Sequence, residues 1–206
     1  QGNMLQLNTD SLNLVVHTNP VRIDCATKSN TTIINDDKGM GINYIGDEIT
    51  AYKQLNDGEK FVGLGEKTGH LNRKGDGYVN WNTDAYAYDN FADPIYASIP
   101  FYIGVHHNLC YGIFVDNTSR SFFNFGAANK RFSSFTVENG DLNYYIIYGY
   151  SLTQVLHSYS WLTGTMKLPP IWSLGFQQCR YGYYPESKLM DIATKLRKRK
   201  IPCDML

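Results

Sequence analysis

Over residues 1–159, apolar positions alternate with polar ones in short runs, and Gly, Asn and Asp break the runs. A period of two between turn formers marks half-buried strands of an antiparallel sandwich or barrel. Residues 12–16 and 21–25 read as strands on either side of Asn19-Pro20. Residues 98–105 and 110–115 flank His106-His107-Asn108 and predict a hairpin with both histidines solvated at its tip. Asn139-Gly140 signals a turn before a last strand at 143–148.

The period changes after Ser158. Residues 155–162 predict a short helix, and Lys167-Leu168-Pro169-Pro170 an extended linker, since proline removes a donor and restricts its predecessor. The apolar run 171–176 reads as a buried strand. Residues 186–199 read as a helix, with Leu189, Ile192, Ala193 and Leu196 on one face. Pro185 and Glu186 suit its first turn, and the basic run from Lys195 to Lys200 complements the dipole at its end, in solvent rather than as a binding patch. Residues 201–206 read as a second strand. Strand, helix, strand opens an α/β domain, but one such unit cannot cover both faces of its strands, so the chain is expected to be a piece of a longer enzyme.

Charge narrows the chemistry. Lys plus Arg and Asp plus Glu are 19 each, so no general attraction to nucleic acid or an anionic membrane is expected. No apolar run is long enough to cross a membrane as a helix. Cys25, Cys110, Cys179 and Cys203 lack metal-ligand spacing and read as small buried hydrophobes; no metal or cofactor is implied. The stretch GLGEKTGHLNRKG at 63–75 invites a phosphate-loop reading, which its spacing refuses. Glu66 separates Gly65 from Lys67, and Thr68 stands where a dinucleotide fingerprint needs glycine. A long turn between two strands fits better.

Three stretches, in this order, resemble glycoside hydrolase family 31, the α-glucosidase and α-xylosidase group. They are Phe61-Val62-Gly63-Leu64-Gly65-Glu66 with Asn72-Arg73-Lys74-Gly75; Trp81-Asn82-Thr83-Asp84-Ala85-Tyr86 through Asp93-Pro94-Ile95-Tyr96 to Ile99-Pro100-Phe101; and Pro169-Pro170-Ile171-Trp172-Ser173-Leu174-Gly175-Phe176 with Arg180-Tyr181-Gly182-Tyr183, ending at Ile201-Pro202-Cys203-Asp204. The resemblance implies a mainly β chain. An antiparallel β-supersandwich of galactose mutarotase type at 1–160 is followed by a linker at 161–170 and the first strand-helix-strand of a (β/α)8 barrel at 171–206. It also implies a retaining α-glycosidase acting on α-linked oligosaccharides, whose two catalytic aspartates lie on barrel strands beyond Leu206. The rest of that barrel is then this chain's partner.

In the resemblance, a long hairpin from the sandwich reaches the barrel mouth, and Asp84 hydrogen-bonds hydroxyls of the leaving-group sugar. A carboxylate suits that task because it accepts from two adjacent hydroxyls in charge-assisted bonds. Trp81 and Tyr86 are further substrate-binding candidates, as aromatic faces for a sugar ring. The alternatives are an Asx-turn role for Asp84, which the resemblance disfavours, and ordinary packing for the two rings, which remains the stronger reading. Arg180 and Tyr181 follow the first barrel strand, where pocket lining and loop bracing are both open. Asp204 reads as structural. Two departures stand out: further strands usually precede the region matching residues 5–25, and Lys67 stands where many members carry arginine, which loses the planar fork. The competing functional class is a non-catalytic carbohydrate-binding β-sandwich, and a mutarotase-like epimerase is a third, by fold analogy only.

Overall fold

A computed structural model describes residues 3–206, which divide into two compact units between Thr163 and Gly164. In the first unit the alternating runs become strands β1 (Met4–Asn8), β2 (Leu12–Thr18), β3 (Val21–Thr27), β4 (Thr32–Asn35), β5 (Ile42–Ile45), β6 (Glu48–Gln54), β7 (Lys60–Gly65), β8 (Gly77–Asn80), β9 (Ser98–His106), β10 (Leu109–Val115), β11 (Ser121–Asn124), β12 (Phe132–Val137) and β13 (Tyr144–Gly149). They pair antiparallel in three sheets, ordered β1-β2-β3-β4, β13-β10-β9-β7 and β5-β6-β12-β11-β8.

Inward residues of all three sheets meet in one core. Ile33 and Ile34 come from the first sheet, Phe61, Tyr102 and Ile113 from the second, Ala51, Phe123 and Phe135 from the third. Phe125, just beyond β11, stacks on Phe61 with ring centroids 4.6 Å apart and meets Tyr102 edge-on at 5.0 Å. Each such buried ring contributes about 1.5–3 kcal/mol through removal of apolar surface from water. One inward position on β6 is charged. Lys53 pairs with Asp36, both nearly inaccessible, and donates to Tyr144 Oη at 2.9 Å. Burial pulls Lys53 toward neutrality, but Tyr144 and Asp36 outweigh it and hold its pKa above the ordinary lysine value.

Strand β10 is buried on both faces because a helix, α1 (Leu152–Thr163), covers its outer side. Val155 of α1 packs with Phe101, Ile103 and Cys110, and Tyr159 stacks on Phe101 at 3.9 Å. Gly112 permits this approach, since a Cβ there would lie 2.9 Å from Val155 Cγ1 and 2.8 Å from the Phe101 ring. The helix starts a turn before the expected 155, where Ser151 Oγ accepts from the Gln154 N–H and the Gln154 side chain accepts from the Tyr150 N–H, a variant of the capping box.

The hairpin between β9 and β10 is tighter than expected. Only His107 and Asn108 form the turn, both with positive φ, as a two-residue type I′ loop requires. His106 is therefore not solvated: it ends β9, is 4% exposed, and its Nε2 lies 2.7 Å from the Ile33 carbonyl.

In the second unit, helix α2 (Glu186–Lys198) presents Leu189, Ile192, Ala193 and Leu196 as its half-buried positions. Lys195, Arg197 and Lys198 crowd its last turn in solvent, as the dipole favours. The two expected flanking strands are corrected. Residues Ile171–Leu174 form a 3-10 turn, with Ile171 89% exposed and Ser173 Oγ donating to the Pro170 carbonyl at 2.7 Å. Pairing shifts downstream to a single parallel bridge, Gln177 with Met205, flanked by amide donation from Asp204 to the Phe176 carbonyl and from Gln178 to the Met205 carbonyl. A parallel strand is stabilised by neighbours on both sides; among the described residues this segment has one short partner.

Candidate functional site

The glycine-rich stretch is a scaffold. At the end of β7 the chain bulges between Gly63 and Gly65. Gly65 has φ +77°, and a Cβ there would lie 2.4 Å from the Ala97 carbonyl oxygen, so only glycine lets β7 approach the returning limb of the next loop. Lys67 is turned inward with its side chain 0% exposed. Its ammonium donates to the Val79 carbonyl at 2.6 Å, Asp93 Oδ1 at 2.8 Å and Ser98 Oγ at 3.4 Å. Burial lowers its pKa below that of an exposed lysine, an effect that the Asp93 carboxylate only partly offsets. An amine consumed in this way is unavailable to a phosphate. Arg73 is likewise internal, 7% exposed, with Nη1 donating to the Thr68 and His70 carbonyls at 2.8 and 2.7 Å.

What the scaffold holds is the long loop between β8 and β9, residues 81–97, which carries Trp81, Asp84 and Tyr86. Its base is closely bonded. Asn82 Oδ1 accepts from the Ser98 N–H at 2.8 Å, the Trp81 N–H donates to Ser98 Oγ at 3.1 Å, and Thr68 Oγ1 donates to the Ala92 carbonyl at 2.9 Å. Ile95 anchors it at 5% exposure. Farther out, Tyr96 Oη donates to the Ala85 carbonyl at 3.0 Å and its ring meets Tyr88 edge-on.

Asp84 is exposed, and its carboxylate has no hydrogen-bond or ion-pair partner among the described residues. The Asx turn of this loop is built instead on Asp89, whose Oδ1 accepts from the Phe91 N–H at 2.8 Å. Tyr86 is 89% exposed and Trp81 half exposed. Phe91, 90% exposed on the same loop, is an aromatic face that sequence reasoning passed over, although its place within the resembling stretch could have flagged it. Trp81 also borders a groove of about 470 Å³ at the loop's base, with Asn82, Ser98, Pro100 and Thr118. Asn80 lines this groove too, 5% exposed, with neither side-chain amide atom bonded among the described residues.

In the second unit, Arg180 Nε donates to the Tyr181 carbonyl at 3.3 Å and the guanidinium lies over the Tyr183 ring, while the Tyr181 side chain is 98% exposed. Asp204 packs its carboxylate over Gly175, where a Cβ would come within 1.8 Å of Oδ2. Among the described residues no group of His, Cys, Asp and Glu could hold a metal ion. All four cysteines are free thiols; Cys25, Cys110 and Cys203 are buried, while Cys179 is exposed, contrary to the expectation for it.

Comparison with known proteins agrees with this architecture. Residues 1–124 match the Glycosyl hydrolase 31 N-terminal galactose mutarotase-like domain, and residues 166–206 match the Glycosyl hydrolases family 31 TIM-barrel domain. "Alpha-glucosidase 2" of Bacillus thermoamyloliquefaciens is 39% identical over 82% of this chain and 21% of its own length. "Alpha-xylosidase XylQ" of Lactiplantibacillus pentosus is 33% identical over 87% of this chain and 22% of its own. The family 31 dextranase of Flavobacterium johnsoniae, solved with isomaltotriose, superposes with a TM-score of 0.86 at 36% identity, over 98% of this chain and 25% of that one. The chain thus spans about a fifth to a quarter of the length of these proteins. Its antiparallel sandwich and the barrel opening that follows it are those of the family: the chain belongs to glycoside hydrolase family 31.

Proposed function

We propose that this chain is the sandwich and barrel opening of a retaining α-glycosidase acting on α-linked gluco-oligosaccharides, and that Asp84 grips the leaving-group sugar. The observation that carries the reading is an exposed carboxylate, without a partner among the described residues, on a loop whose base is closely bonded. An aspartate kept for turn structure would be spent on its own backbone, as Asp89 is. One kept for sugar has both oxygens ready for adjacent hydroxyls. Trp81 and Tyr86 offer exposed faces on the same loop, with Phe91 beside them. The isomaltotriose bound by the dextranase and the α-glucosidase relative support the substrate class. The barrel match at 166–206 supports an enzyme over a free-standing sugar-binding sandwich.

In this reading the nucleophile and the acid/base belong to barrel strands beyond the residues of this chain. A carboxylate attacks the anomeric carbon to form a glycosyl ester while the second protonates the departing oxygen; water, deprotonated by that second carboxylate, then attacks the anomeric carbon and displaces the first, with net retention. The contribution of residues 1–206 is to seat the sugar that leaves. The test is the stereochemistry of the full-length enzyme: with maltose-type and isomaltose-type substrates, the first product seen by NMR is the α anomer, while residues 1–206 alone give no turnover. Release of the β anomer, or turnover by the isolated chain, refutes the reading.

A further inference from the structure

We infer that Lys67 and Asp93 are positioning residues for the leaving-group subsite: their buried ion pair ties the roots of the loop 81–97 together and so fixes where Asp84 is presented. The inference rests on the reading of Asp84 above.

The loop has no regular structure, and its outer side chains Tyr86 and Phe91 are almost fully exposed, so the tip contributes little packing of its own. Holding each backbone residue in one conformation costs about 1–2 kcal/mol. The restraint has to come from the roots. There the Lys67 ammonium has three N–H donors and three acceptors, each on a different segment: the Val79 carbonyl in β8 before the loop, Asp93 Oδ1 on its returning limb, and Ser98 Oγ at the start of β9. Asp93 closes the circuit, because its other carboxylate oxygen accepts the Val79 N–H. The returning limb and the start of β9 are thus tied to β8 by one ion pair with side-chain exposures of 0% and 16%. Neighbouring bonds run along the same seam, from Thr68 Oγ1 to the Ala92 carbonyl and from the Ala97 N–H to the Glu66 carboxylate, but these tie the returning limb to residues 66–68 and not to β8.

Such a brace acts on one step only. A substrate whose leaving group is a sugar needs Asp84 in place, whereas an aryl α-glucoside, whose leaving group has no sugar hydroxyls, does not. In the full-length enzyme, Lys67→Met is expected to lower kcat/KM for an α-linked disaccharide about tenfold or more, since sub-ångström misplacement carries penalties of that order. The value for the aryl glucoside should stay within about twofold. On an Asp84→Ala background the Lys67→Met loss should largely vanish, because both changes remove the same contact. Asp93→Asn, which keeps oxygen and nitrogen in place of two oxygens but loses the charge, should show the same substrate selectivity, and it decides the matter should Lys67→Met fail to fold. Equal losses on both substrates, or none on the disaccharide, overturn the inference. If Asp84→Ala is itself without effect on the disaccharide, the subsite reading falls and takes this inference with it; if Asp84→Ala is selective while Lys67→Met and Asp93→Asn are not, this inference alone falls.

Discussion

Replacing Lys53 by Ala should destabilise the sandwich by about 3–5 kcal/mol, the cost of breaking a buried ion pair from one side. Lys53 and Asp36 side chains are 1% and 0% exposed, so solvent screens little of the loss. The substitution also removes the bond to Tyr144 Oη and a cation–π contact at 4.6 Å from the Tyr144 ring centroid. Asp36 keeps the Ile23 N–H on Oδ2 at 2.7 Å, but Oδ1 is left facing the core without a partner. Proton uptake by the carboxyl caps the penalty, because a neutral acid is cheaper to bury than an anion. The contrasting variant carries Lys53→Met with Asp36→Leu, which deletes both charges at similar volume and should cost far less than the single change. Urea unfolding followed by circular dichroism reads both, with the slope m unchanged. A Lys53→Ala variant within about 1 kcal/mol of the parent, or a double variant no better than the single one, refutes the reasoning.

Other expectations follow from the packing. Gly112→Val places a side chain where Val155 and Phe101 already lie, so α1 should be forced off the sheet at a cost of about 1–3 kcal/mol, seen as a lowered Tm. Under native conditions near neutral pH a soluble alkylating reagent should label Cys179 rapidly and the other three cysteines slowly, since burial shields them and pushes the Cys25 thiol up to about 11. Peptide mapping distinguishes this from uniform labelling, which would contradict the burial pattern. Gly175→Ala should loosen the Asp204 contact in the second unit, detected as faster amide exchange at Asp204, whose N–H now donates to Phe176.

The strands bounded by turn formers were legible in the sequence, by alternation in β3 and by short apolar runs in β2, β9, β10 and β13. Strand β6 was not singled out, and its inward positions explain why: Ile49 and Ala51 keep the period, but the third is Lys53, whose charge is met by Asp36, its antiparallel bridge partner just past β4. His106 was misplaced by one turn residue, because a three-residue tip and a two-residue type I′ loop have the same composition and differ only in backbone angles. The run 171–176 is apolar enough for a buried strand, yet burial is a property of neighbours, and here Leu174 is 71% exposed. At the site, Asp84 was found through the family resemblance rather than through any local pattern. Lys67 drew attention as a failed phosphate lysine, and the contacts behind its proposed bracing role required the fold, since Val79, Asp93 and Ser98 lie 12, 26 and 31 residues from it in sequence.

The central claim is that Asp84 meets the sugar that leaves. It is tested most directly by a structure of the full-length enzyme, inactivated at its nucleophile and soaked with an isomaltose- or maltose-type oligosaccharide. The account predicts Asp84 Oδ1 and Oδ2 at about 2.5–3.0 Å from adjacent hydroxyls of the leaving-group ring. A bound oligosaccharide whose leaving-group hydroxyls are satisfied by other residues, with the Asp84 carboxylate turned to bulk water, contradicts it.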